Sequence, residues 1–150
     1  MRERLNAELK DAMRAKDSAR LSTLRLINAA IKDKDIALRG EGQAEGVTDD
    51  DILAILAKMI KQRQDSATAY EEAGRLDSAE KERAEILVIE EFLPRQLTDA
   101  EITSAIQAVI AEVEASSIRD MGRVMAALKT QYAGQMDFGK AGAAIKSLLS

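Results

Sequence analysis

The stretch Glu90-Glu91-Phe92-Leu93-Pro94-Arg95-Gln96-Leu97-Thr98-Asp99-Ala100-Glu101-Ile102 holds the one proline among 150 residues. Proline disfavours helix at the residue before it, so a helix running from about Asp77 ends by Leu93. Thr98 and Glu101 then stand at capping-box spacing, in which each side chain accepts from the other residue's backbone N–H. A stop followed so soon by a start predicts two helical groups. Residues 1–95 read as a four-helix bundle and residues 98–150 as a three-helix bundle. The second group is short for a fold standing alone, because small domains bury a small share of their surface.

Upstream of the break, Leu5, Leu9, Ala12 and Met13 recur at helical spacing and predict a first helix over 2–16. Asp17-Ser18 offers a cap for a second, from Arg20 to about Leu38, with Leu21, Leu24, Ile27 and Ile31 on one face and Gly40 as its stop. The glycine-rich acidic loop Gly40–Val47 follows. Thr48 and Asp51 form the next capping pair, and Asp49 and Asp50 also suit a helix N-terminus. The third helix carries Ile52, Ile55, Leu56, Met59, Ile60 and Tyr70 in one stripe and stops at Gly74. Arg63, inside that stripe, reads as an arginine that snorkels or pairs with a carboxylate. Ile86, Leu87, Ile89 and Leu93 form the face of the fourth helix.

Downstream, Ile102, Ile106, Val109, Ile110 and Val113 make a narrow stripe on the fifth helix. Ser117 and Asp120 pair as a cap opening the sixth, which shows Met121, Val124, Met125 and Leu128. A loop at Tyr132–Met136 leads to Asp137 as cap of the seventh, with Phe138 at its start and Ile145, Leu148 and Leu149 turned inward.

Composition agrees with an all-α fold. Aromatic residues make up 3% of the chain, apolar residues 46% and charged residues 32%, a balance rich in good helix formers and poor in strand formers. The absence of His and Cys excludes a Ser-His-Asp triad, a cysteine nucleophile and imidazole or thiolate metal sites. No metal and no cofactor are expected. Glu71-Glu72 and Glu90-Glu91 are adjacent pairs that diverge on a helix, so no acid–base pair converges. No segment approaches the roughly 18 apolar residues of a membrane span, and MRERLNAELK enters amphipathic charge without an apolar leader. A cytoplasmic protein is expected.

The net charge of −4 is unlike that of an indiscriminate nucleic-acid binder, so any RNA contact needs a local basic patch. Arg25, Lys32 and Arg39 recur every seven residues and fall within an arc of about 40° on the second helix. Arg119 and Arg123 are four apart on the face opposite Met121 and Met125, and Lys129 and Lys140 flank the following loop. These groups suit phosphate tracking, without the aromatic interleaving that base stacking needs. Gly134–Ala141 (GQMDFGKA) imitates a phosphate-binding loop. It carries alanine where the magnesium-holding hydroxyl belongs and follows a helix instead of a strand, which reads against ATP binding. Free N–H groups over Asp137–Lys140 could still receive a phosphate oxygen.

Ser117–Leu149, SIRDMGRVMAALKTQYAGQMDFGKAGAAIKSLL, resembles the core pattern of the GatB/YqeY domain, above all in RDMGRVM. LKDAMRAKDSARLSTLRLINAAIKDKDI and EEFLPRQLTDAEI are similar to standalone YqeY-like proteins, so the likeness covers nearly the whole chain. The chain departs from the family's Asp-Gly before the last helix, having Asp137-Phe138-Gly139. The resemblance implies a four-helix and a three-helix bundle. It also implies a link to the glutamine-dependent amidotransferase acting on Glu-tRNA or Asp-tRNA, a carbon–nitrogen ligase in which such a domain is a tRNA-binding appendage. The kinase and glutaminase chemistry of that enzyme lies in other domains.

The expected function is therefore a non-catalytic tRNA-binding module, with tRNA as partner through Arg119, Arg123, Lys129 and Lys140, and the Arg25/Lys32/Arg39 edge as a second patch. The alternative is a helical protein–protein adaptor for a tRNA-handling enzyme or amidotransferase, with the acidic Gly40–Val47 loop and the Asp49-Asp50-Asp51 cluster as a docking face.

Overall fold

Capping chemistry sets where the helices begin. The computed structural model describes residues 1–42 and 46–150. Among them are seven α-helices, one 3-10 turn and no strand: α1 (Arg2–Arg14), α2 (Ser18–Gly40), α3 (Asp49–Glu72), α4 (Leu76–Glu90), α5 (Asp99–Glu112), the turn Ile118–Asp120, α6 (Met121–Gln131) and α7 (Phe138–Leu149). The fold is all-α. Asp17 caps α2 by accepting from the Arg20 N–H, and both Thr48/Asp51 and Thr98/Glu101 complete reciprocal capping boxes. Each cap satisfies amide donors that the first helical turn leaves without a partner.

The chain divides into two compact units, Met1–Leu93 and Pro94–Ser150. In the first, α4 packs chiefly on α3 and also on α2, and α1 lies against α2. Leu5, Leu24, Ile27, Ile52, Leu56, Ile89 and Phe92 are fully buried there. Removing this apolar surface from water, at about 1.5–3 kcal/mol per large side chain, is what holds the four helices together. Arg4 closes one edge: its guanidinium lies 4.9 Å from the centre of the Phe92 ring and donates to the Glu91 carbonyl at 2.8 Å. Arg20 adds a second tie by bridging Glu8 and Glu91.

In the second unit α6 packs on both α5 and α7 around Ile106, Val109, Val124, Leu128 and Ile145. Leu97 donates its N–H to the Gln135 carbonyl at 2.9 Å, so the segment after Pro94 is fastened to the loop before α7. Gly142 lets α7 approach α6 closely, since a Cβ there would stand 3.2 Å from Met125 Cε.

Several boundaries and burials differ from the sequence reading. The first helix stops at Arg14, because Lys16 takes a left-handed backbone (φ 54) that turns the chain into the Asp17 cap. Gly40 does not stop α2; the helix includes it, and Gly42 (φ 84) makes the turn. The fourth helix ends at Glu90, before Pro94 acts. There Phe92 and Leu93 donate back to Ile89 and Glu90, tightening the chain and carrying the Phe92 ring into the core. Leu87 (65% exposed), Met13 (53%) and Leu148 (47%) face solvent, against the expected stripes. Within the acidic loop, residues 43–45 lie outside the described residues, whereas Asp49, Asp50 and Asp51 of the expected docking face form the first turn of α3.

Candidate nucleic-acid interface

Charge is unevenly divided along the chain. Residues 1–93 hold sixteen basic and twenty acidic residues, and residues 94–150 hold six of each. The second set is itself polarised. Residues 94–118 carry one basic residue against four acidic, whereas residues 119–150 carry five basic against two acidic. A module with no net charge thus presents a cationic C-terminal segment.

Both acids of that segment are committed to backbone amides. The Asp120 carboxylate accepts from the N–H groups of Ser116 (2.9 Å) and Ser117 (3.3 Å) and from Arg123 Nη2 (2.8 Å). These donors, the Ser116 amide foremost, hold its pKa down at about 2. Asp137 accepts from the N–H groups of Gly139 (2.8 Å) and Lys140 (3.3 Å) as the cap of α7. Of the amides expected to be open to a phosphate oxygen at Asp137–Lys140, those of Gly139 and Lys140 are therefore filled by the chain's own carboxylate. Its negative charge also opposes an anion at that helix end.

The candidate cations fall into different surroundings. Arg119 sits in the 3-10 turn, exposed, and among the described residues it makes no ion pair. It is not on α6, as the four-residue spacing from Arg123 had suggested, because Asp120 folds back on Ser116 and Ser117 and tightens that turn to 3-10 geometry. Arg123, on α6, reaches in two directions: Nη2 to Asp120, and Nη1 to the carbonyl of Val113 at 3.0 Å, which ends α5. Lys129 in the last turn of α6 and Lys140 in the first turn of α7 are exposed. Lys146, exposed on α7, belongs to the same cationic segment. The regional charge balance points to it, whereas the spacing of paired cations does not.

In the other unit, Arg25, Lys32 and Arg39 are all exposed along the outer side of α2, away from the buried Leu24, Ile27, Ile31 and Leu38. Ile36 lies among them and is 68% exposed. The two cationic sets thus belong to separate units.

Little in the described residues supports bond-making chemistry. A cavity of about 450 Å³ opens beside Arg20, Thr23, Lys81 and Glu85. Arg20 is engaged there by Glu8 and Glu91, and Glu85 by Arg63. Arg95, the remaining arginine of the second unit, is held bidentate by Glu101 at 2.7 and 3.0 Å. Among the described residues no cluster of His, Cys, Asp or Glu could hold a metal ion, and no helix is long and apolar enough to cross a membrane.

Three known proteins similar to this chain carry the name altered inheritance of mitochondria protein 41, mitochondrial. The protein from Lachancea thermotolerans is 32% identical over 115 residues, covering 75% of this chain and 59% of its own length. That from Pyrenophora tritici-repentis is 32% identical over 132 residues, covering 84% and 70%. That from Clavispora lusitaniae is 30% identical over 148 residues, covering 97% and 82%. The chain thus spans well under the full length of the Lachancea relative. These names overturn the cytoplasmic expectation. The relatives are named mitochondrial, so the absence of cysteine and the charge pattern of MRERLNAELK carried no compartment information. The profile described as Yqey-like protein matches residues 2–149. From α1 through α7, this two-unit helical chain belongs to the YqeY family.

Proposed function

We propose that the chain is a non-catalytic RNA-binding module whose partner is tRNA, serving an enzyme of tRNA-dependent amidotransfer. One observation carries this reading. From residue 119 onward five cations face two carboxylates, and both carboxylates are spent on backbone amides. Arg123 pairs with Asp120, and the other four, exposed and without an ion pair among the described residues, are what counterion-release binding to a phosphate backbone uses. Few aromatic residues favour recognition by shape and phosphate position over base-edge reading.

The test is binding of the purified chain to bulk tRNA across a salt series, with duplex DNA as competitor. Affinity should fall steeply with salt. In a folded variant carrying Arg119→Glu, Lys129→Glu and Lys140→Glu it should fall by at least about tenfold, as expected when several phosphate contacts are reversed. Wild-type protein that fails to bind at low salt removes the reading.

A second reading, an adaptor that docks on a tRNA-handling enzyme, is favoured by Ile36, which is 68% exposed on α2 and is the kind of apolar side chain a protein partner would bury. A protein partner whose affinity drops on Ile36→Asn, with tRNA affinity unchanged, would establish that role.

A further inference from the structure

Of the two arginines at the α5–α6 junction, one, Arg119, has no guanidinium partner among the described residues. Arg123 Nη1 donates to Val113, the residue at which α5 ends, and Nη2 donates to Asp120. Asp120 in turn holds the amides of Ser116 and Ser117. The segment between α5 and α6 is therefore closed at both ends by one side chain. Glu114, within it, takes a left-handed backbone (φ 54) that is strained for a non-glycine residue, so the turn needs such restraint to persist. At the outer point of this closed turn stand Ile118, 45% exposed, and Arg119, exposed and without an ion pair among the described residues.

We infer that Arg123 is a positioning residue. It locks the α5–α6 turn through Val113 and Asp120, so that Ile118 and Arg119 project together as the contact with RNA. An apolar side chain beside a free guanidinium matches a sugar–phosphate unit, with the ribose face against Ile118 and the phosphate against Arg119. This rests on the RNA-binding reading above, and it divides roles that the charge balance alone leaves equal.

The discriminating variant is Arg123→Lys in the full chain. Lysine keeps the charge but has one nitrogen, which cannot span the Val113 carbonyl and the Asp120 carboxylate as the planar fork does. The expected result has two parts. Amide exchange at Ser116 and Ser117 quickens by about tenfold or more in Arg123→Lys and Arg123→Ala alike. Their tRNA affinities fall together, whereas Arg119→Lys stays near wild type, because a point charge still meets a phosphate. Arg119→Ala should also lower the slope of log affinity against log salt by about 0.7–0.9.

Wild-type affinity in Arg123→Lys with a loss in Arg123→Ala would make Arg123 a direct phosphate contact and overturn the inference. Unchanged exchange at Ser116 and Ser117 in Arg123→Ala would overturn it as well. If the wild-type chain binds no tRNA, the RNA-binding reading falls, and with it the contact role of Ile118 and Arg119. The exchange rates would still decide the Arg123 lock by themselves.

Discussion

Arg63 meets Glu85 across the α3–α4 hairpin with Nε 2.9 Å from Oε2, the two side chains 14% and 19% exposed, and its Nη1 donates to the Met59 carbonyl at 3.2 Å. An arginine inside an apolar stripe is tolerated because its charge and donors are answered there. Arg63→Met leaves the Glu85 carboxylate shielded from water and without its partner, and should cost about 2–3 kcal/mol in urea unfolding. Adding Glu85→Met should recover most of the loss. If the double variant is no more stable than the single one, the pair contributes by packing and not by charge.

Acid should weaken the second unit through two identifiable carboxylates. Glu101 is held at about 2, first by its hydrogen bonds from Arg95 and then by the Thr98 amide, and Asp120 is held at about 2 by its three donors. A carboxylate whose folded pKa lies below its unfolded value, near 4, stabilises the fold above pH 4. That contribution is lost as pH falls from about 4 to 2. Urea midpoints measured between pH 5 and pH 2 should therefore fall less steeply in Glu101→Gln and Asp120→Asn than in wild type. The variants should be weaker at pH 6 and converge with it near pH 2. Parallel curves would show that neither group links folding to pH.

Two leucine-class residues on α7 should behave oppositely. Ile145 is fully buried between α5, α6 and α7, whereas Leu148 is 47% exposed. Ile145→Ala should cost about 3 kcal/mol, a loss large enough to unfold so short a unit. Leu148→Ala should stay within about 0.5 kcal/mol. Thermal unfolding followed by circular dichroism would separate them.

Left-handed positions give a fourth pair. Gly74 (φ 73) turns α3 into α4, and Lys16 (φ 54) turns α1 into α2. Gly74→Ala should lose about 1 kcal/mol, because a Cβ is strained at that φ although space around it is open. Lys16→Gly should gain about 0.5–1 kcal/mol by relieving the same strain. Denaturant midpoints moving in the same direction would contradict this account.

The amino-acid sequence by itself determined the number of helices, the starts of α3 and α5, the cap of α7 and the family, because caps and 3.6-residue periodicity act within a few neighbouring residues. Thr48/Asp51 and Thr98/Glu101 close the boxes their spacing implies. Which apolar residues are buried depended on what faces each helix. Leu87 and Leu148 continue good stripes and still meet solvent, since within their own units they lie on the side of the helix away from the core. The candidate site divides the same way. The excess of cations after residue 119 is a property of composition, whereas the difference between Arg119 and Arg123 comes from tertiary structure. Val113 and Asp120, from the end of one helix and the turn before the next, converge on one guanidinium and leave the other free. Spacing along the chain cannot specify that choice, because hydrogen bonds form between groups that the folded backbone brings within about 3 Å, whatever their separation in sequence.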